Sequence, residues 1–272
     1  MAEFMSLRES IRSAVHDGQT VALEGFTHLI PFAAGHEIIR QGRVDLTLIR
    51  MTPDLVYDQM IGMGCAGKLV FSWGGNPGVG SLHRFRDAVE RSWPRPLVIE
   101  EHSHAAMAAA WAAGAAGLPI ALLRGYLGTS LPSVNPRIEF VTDPFSGEQL
   151  AAVPALEPDV GIIHAQRADR DGNVLLEGIV GIQKEVVLAS KVSIVTVEEV
   201  VDDLASPSLN SVVLPGWAID LIVAAPGGAR PSYAHGYYRR DNAFYLEWDE
   251  ISRDRERFTS WMQSNVLEAA DG

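Results

Sequence analysis

The sequence predicts an α/β fold built on an open, mainly parallel sheet with helices on its faces. Short apolar runs alternate with longer segments of helical period throughout the chain, as in successive βα units. The 272 residues, 47% of them hydrophobic, suffice for a large core. Most apolar runs also end in Gly, Pro or Asn, which turn the chain before the next helix.

Leu7 to His16 reads as a helix, and "TVALEGF" (Thr20 to Phe26) as a strand ending in a turn. A helix opened by Pro31 follows in "PFAAGHEIIRQG", then the strand "LTLIRM" (Leu46 to Met51). "KLVFSW" (Lys68 to Trp73) and "PLVIE" read as strands flanking the helix "SLHRFRDAVE". "SHAAMAAAWAAGAAG" reads as a helix capped by Ser103, and "PIALLRG" as the next strand. "RIEFVTDPFSGEQLAAV" has the form strand, turn, strand, with Pro144 and Gly147 at the turn, and is expected as a hairpin beside the main sheet. "DVGIIHA" and "VSIVTVEEV" are buried strands around the helix "GIQKEVVLASK". The chain then turns polar and aromatic, and "DNAFYLEWDEISRDRERFTSWMQSNV" reads as one or two amphipathic helices. One domain spanning 1–272 is expected, with a polar helical tail from about 236.

The net charge of −12 argues against a nucleic-acid footprint. The lone Cys65 excludes an internal disulfide or a cysteine-rich metal site. No apolar run approaches the roughly 18 residues that span a bilayer. "MAEFMSLRES" places acids where a signal peptide carries bases. A soluble, cytoplasmic protein without a membrane partner is expected.

Three stretches carry candidate chemistry. The turn Gly25, Phe26, Thr27 and His28 follows a strand and precedes a helix, so its backbone N–H groups suit an anion; taken alone, a plain βα turn is the simpler account. Gly74, Gly75 and Asn76 begin a glycine-rich loop that permits close backbone approach to a ligand, or serves turns alone. "VIEEHSHAAM" (Val98 to Met107) sets Glu100, Glu101, His102, Ser103 and His104 where a strand meets a helix, the edge at which open α/β folds bind ligands. The two acids also complement a helix N-terminus, and no third ligand is spaced to form a metal site with the histidines. His164, beside Ile162 and Ile163, reads as a core histidine.

Taken in order, these segments resemble the A subunit of the family I CoA-transferases. "DGQTVALEGF" is similar to that family's Asp-Gly, apolar strand, Gly-Gly-Phe element, and "AQRADRDGNV" matches its Ala-Asp-x-x-Gly-Asn element. "GKLVFSWGGNPG", "DPFSGEQLAAVPAL" and "VTVEEVV" resemble the glutaconate-type branch. Glu24 departs from the pattern by replacing the first glycine of Gly-Gly-Phe, and the loop from Gly25 to Pro31 is one residue shorter than usual.

The resemblance implies a two-subunit enzyme, either a heterodimer or a heterotetramer of two A and two B chains. A glutamate from the B subunit first attacks an acyl-CoA, forms a mixed anhydride and then a glutamyl-CoA thioester, and passes CoA to a second carboxylic acid. Coenzyme A enters as part of the substrate, with no tightly bound cofactor and no metal. No Ser-Glu-x-Gly nucleophile element is found here; Glu148 of "FSGEQL" lies in the hairpin and is a poor candidate. His104 aligns with a glutamine that helps form the oxyanion hole, and a one-residue shift would put Ala105 there. A related branch opens steroid-derived rings by hydrolysis, and its pattern implies Glu101 as a water-activating base, desolvated against apolar neighbours. A stand-alone sugar-phosphate isomerase is a third reading on the same fold class.

Overall fold

The computed structural model describes residues 2–204 and 208–268. The strands and helices expected in the first half form close to their predicted places: α1 (Leu7–Ala14), β2 (Thr20–Glu24), α2 (Phe32–Arg40), β3 (Leu46–Ile49), β4 (Ala66–Phe71), α4 (His83–Arg91), β5 (Val98–Glu101) and α5 (His104–Ala115). Ser103 caps α5, its hydroxyl accepting from the Ala106 N–H at 3.2 Å.

Two elements there were not expected. The two-residue strand β1 (Glu3–Phe4) is too short to show a pattern. Helix α3 (Leu55–Gly62) is buried on every face, with all eight residues inside. A helix without a solvent face has no amphipathic stripe for periodicity to reveal.

The second half holds β6 (Ile120–Leu123), α6 (Leu131–Val134), β7 (Glu139–Thr142), β8 (Gln149–Pro154), β9 (Val160–Asp169), β10 (Val174–Glu177), α7 (Gln183–Ala189), β11 (Val192–Val201), β12 (Ser211–Leu214) and β13 (Leu221–Ala224). The main sheet runs β1-β13-β11-β9-β2-β3-β4-β5, parallel at every junction. β10 and β12 extend it antiparallel beyond the end of β2. The hairpin β7/β8 pairs with β6 in a separate three-stranded sheet, so "PIALLRG" leaves the main sheet. Its alternation explains this: Ile120 and Leu122 are exposed while Ala121 is buried, the one-sided pattern of an antiparallel edge.

Strand order reverses between β2 and β9. The chain winds from β2 outward to β5 in one direction, then from β9 outward to β13 in the other, and such a switch point leaves a crevice at the strand ends.

The segment from about 236, expected as a polar tail, does not stand off the body. Helices α8 (Asn242–Arg253) and α9 (Arg255–Met262) send Tyr245, Trp248, Phe258 and Met262 into the cluster that holds Val21, Leu23 and Leu48. The Trp248 indole N–H donates to Asp58 at 3.1 Å, satisfying both buried groups. Among the described residues no helix is long and apolar enough to cross a membrane.

Candidate active-site edge

The carboxyl ends of β2, β3, β4 and β5 lie side by side, and every candidate catalytic or binding residue falls on this edge. They form two groups rather than one. The turn after β2 holds Gly25 to His28, while the ends of β4 and β5 hold Gly74 to Asn76 and Glu101 to His104. Two strand spacings separate the β2 turn from the end of β4 and three from the end of β5, about 10 and about 14 Å.

The β2 turn is closed on itself. A side chain at Gly25 would meet the backbone oxygens of Leu29 and His28 at 2.5 and 2.7 Å, so only glycine fits. Thr27 and Leu29 take left-handed φ values of 55° and 53°, a strained backbone that surrounding contacts must hold. Those contacts come from the segment after β13: Leu29 N–H donates to Tyr233 O at 2.9 Å and Ser232 Oγ donates to Thr27 O at 3.0 Å.

His28 is a latch within the protein and not an open binding group. It is fully buried, its Nε2 accepts from His235 N–H at 2.8 Å, and its Nδ1 therefore donates to Ile179 O at 3.1 Å. Burial lowers its basicity, which suits this neutral tautomer. Phe26 and Thr27, by contrast, are exposed at the turn's tip.

Asn76 also faces inward. It is buried, and its amide donates to Tyr245 O at 2.7 Å, tying the glycine-rich loop to α8. Gly75 N–H donates to Pro53 O at 3.1 Å, and a Cβ there would strike the Trp73 ring at 2.6 Å. Gly74 is half-buried, and Trp73 lies exposed beside it.

At the β5 end, Glu100 bonds Lys68 Nζ at 2.5 Å and His102 Nε2 at 3.0 Å. Burial pushes Glu100 upward, but these bonds outweigh it and hold the carboxyl down at about 2. His102 is buried with its Nδ1 unpartnered, while Asn135 donates to the Glu101 carbonyl at 2.7 Å and closes this corner. Ser103 N–H donates to the Tyr126 hydroxyl at 2.8 Å. Glu101 and His104 are exposed, and neither side chain has a hydrogen bond among the described residues. The desolvation expected for Glu101 is therefore not supplied by this chain. A cavity of about 460 Å³ runs beside β5, between Glu101 and the Leu131–Arg137 segment.

The carboxylate that burial does perturb is Glu24. It ends the central strand β2 at 3% exposure, and burial raises its pKa to about 7 against the pull of Arg50. Its Oε1 accepts from Met51 N–H at 2.9 Å. Arg50 in turn pairs with Asp54 at 3.1 Å and donates to Gly25 O at 2.8 Å. The sequence marks Glu24 only as a departure from a pattern, because nothing near it announces a partner 26 residues away.

Across the switch point, His164 is a satisfied core histidine: Nδ1 meets Thr196 Oγ1 at 2.8 Å and Nε2 meets Glu198 Oε1 at 2.7 Å. Glu198 also accepts from Gly227 N–H at 2.7 Å and from the Tyr238 hydroxyl. This network anchors the segment that braces the β2 turn. Among the described residues no group of three or more His, Cys, Asp or Glu is arranged to hold a metal.

Comparison with known proteins bears on the family and the fold. The chain is 65% identical over 271 residues to the A subunit of 3-oxoadipate CoA-transferase from Pseudomonas knackmussii, covering all of this chain and 96% of that one. The A subunit of glutaconate CoA-transferase from Acidaminococcus fermentans is 33% identical over 100% of this chain and 90% of its own. The crystal structure of that organism's glutaconate CoA-transferase superposes with a TM-score of 0.91, covering 99% of this chain and 90% of the matched one at 31% identity. The cholesterol ring-cleaving hydrolase IpdA subunit of Rhodococcus jostii is more distant, at 25% identity over 92% of this chain and 86% of its own. With residues 4–225 matching the family model described as Coenzyme A transferase, and the fold superposing on that crystal structure, the chain belongs to the Coenzyme A transferase family.

Proposed function

We propose that this CoA-transferase chain of the A type works on 3-oxoadipate and that the nucleophilic glutamate is carried by a B-type partner. The observation that carries the substrate is the 65% identity, along the full chain, with a relative of that name. The partner reading is supported by the edge itself. The candidate side chains Glu101 and His104 are exposed, and apolar Trp73, Val98, Ile99 and Val134 lie exposed on the β4 and β5 side of the edge, with Phe26 exposed at the β2 turn, the composition expected at the core of an obligate interface.

In this reading the partner's glutamate attacks the thioester carbonyl, and negative charge develops on the carbonyl oxygen. His104 stands in the first turn of α5, where ring N–H and helix N-terminus favour that charge together. One such donor is worth about 3 kcal/mol in the transition state. CoA expelled as thiolate then attacks the anhydride to give the glutamyl-CoA thioester and release the first acid. Phe26, Thr27, Gly74, Gly75, His102 and Ser103 shape the cleft that receives it, and His28 and Asn76 hold its walls from within.

The hydrolase reading gives Glu101 the role of water-activating base. It ranks second, because the hydrolase relative is 25% identical and Glu101 is solvated in this chain. Purification of the chain alone and with its B-type partner separates the cases. Turnover of 3-oxoadipate with an acyl-CoA donor is expected only in the complex, with a CoA adduct on the partner's glutamate detectable by mass spectrometry. Transfer by the isolated chain at a normal enzymatic rate would refute the two-subunit reading.

A further inference from the structure

We infer that Glu24 and Arg50 form a clamp on the Gly25 backbone that positions the substrate-facing turn, making Glu24 a positioning residue for CoA transfer. Glu24 Oε2 accepts from Gly25 N–H at 3.4 Å, and Arg50 Nη2 donates to Gly25 C=O at 2.8 Å. Donor and acceptor of one residue are thus gripped by two side chains of opposite charge. The grip sits where the turn is tightest, two residues before the first left-handed φ, so it fixes the direction in which Phe26 and Thr27 leave the sheet.

The clamp also joins two strand ends. Through Met51 N–H, Glu24 ties the end of β2 to the end of β3, and Met51 O accepts from Ser72 Oγ at 2.7 Å and from Trp73 N–H at 3.2 Å at the end of β4. A chain of contacts therefore connects the turn after β2 with the loop that carries Gly74 and Gly75. The β2 turn and the β4 loop, two strand spacings or about 10 Å apart, are held in one frame by it.

Only the ionised carboxylate fits this role. Met51 N–H, Gly25 N–H and the otherwise unpartnered Arg50 Nε–H, 4.0 Å away, all face Glu24, which accepts without donating when ionised. A proton on Glu24 would set a donor against donors and release the long bond to Gly25. The other ionisable groups packed here are Asp54, paired to Arg50, Tyr57, whose hydroxyl donates to Ile49 O at 2.8 Å, and, behind Arg50 and Asp54, Tyr245 with Arg240 over its ring. Burial places Glu24 near 7, so the clamp is complete above that pH and loosens below it.

The inference rests on the reading that the β2 turn lines the thioester site. The experiment uses the assembled complex and measures kcat and KM for the acyl-CoA between pH 5.5 and 8.5 for wild type, Glu24→Gln, Glu24→Asp and Thr27→Ala. Wild type is expected to lose activity as pH falls through about 7. Glu24→Gln puts an amide N–H against Gly25 N–H, and should lower kcat/KM at pH 8 by roughly tenfold or more while flattening that acid limb. Glu24→Asp, which keeps the charge, should retain the limb. If Glu24→Gln assembles and keeps both the wild-type acid limb and kcat/KM, the clamp is refuted. If Glu24→Gln assembles poorly, the assembled Glu24→Asp decides, and loss of its acid limb refutes the clamp. A Thr27→Ala variant with unchanged kinetics would instead refute the turn's place in the site, and a complex without transferase activity would refute the functional reading itself.

Discussion

Gly25→Ala is a small substitution with a large expected effect. The added methyl would stand 2.5 Å from Leu29 O, 2.7 Å from His28 O and 2.8 Å from Leu29 C, all backbone atoms that cannot rotate away. Relief requires the turn to open by roughly 0.5–1 Å, towards ordinary contact distances. Opening stretches the bonds from Leu29 N–H to Tyr233 O and from Ser232 to Thr27 O, each with a net contribution of about 0.5–1.5 kcal/mol. With overpacking of about 1–3 kcal/mol, the loss comes to a few kcal/mol, or roughly 5–10 °C in Tm for a chain of this size. Activity should fall further than stability, since a displacement near 1 Å in positioning groups costs about 10²-fold. Thermal melting and steady-state kinetics of the assembled complex are the assays. Gly18→Ala is the control: φ is +79° with nothing within 4 Å, so it should cost about 1–2 kcal/mol from backbone strain and leave kcat/KM unchanged. A Gly25→Ala complex with wild-type Tm and kcat/KM would show that the turn is not closed in the way described.

Other perturbations test neighbouring parts. Glu198→Ala removes the acceptor shared by His164, Gly227 and Tyr238 and should destabilise the chain by about 3–5 kcal/mol, whereas Tyr238→Phe should cost only about 1 kcal/mol; equal losses would contradict the shared-acceptor role. Burial pushes Glu198 upward, yet bonds from His164, Gly227 and Tyr238 prevail and hold it below the ordinary glutamate range. Its contribution is therefore complete above the unfolded-state pKa and lost as pH falls through the folded one, so urea titrations of Glu198→Gln should show a flatter decline on the acid side than wild type. Glu101→Ala should slow transfer while the partner's CoA adduct still forms; loss of the reaction by about 10²–10⁴-fold without any adduct would favour the hydrolase. His104→Ala should lower kcat by about 10²-fold or more if its ring N–H meets the oxyanion, and an unchanged kcat would remove it from that role.

Much of the fold follows from local sequence. "TVALE", "LTLI" and "KLVF" are apolar because parallel strands are covered on both faces, and Ser103 marks the start of α5 because a hydroxyl caps a helix wherever one begins. The motifs around Gly25 and Asn173 identify the family by residue type and spacing, which need no third dimension. Tertiary structure decided what local signals cannot carry. Helix α3 has no polar face, β6 joins a different sheet, and the amphipathic C-terminal helices bury Trp248 and Phe258 in the main core. The same holds for the site. Sequence placed Gly25, Gly74 and Glu101 at strand ends, but strand order set them on one edge in two groups, turned His28 and Asn76 inward and left Glu101 in solvent. Glu24 depends on its surroundings most of all. Its charge is set by desolvation and by Arg50 and Met51, brought to it by the pairing of β2 with β3, and pairing between distant segments leaves no trace in the residues beside it.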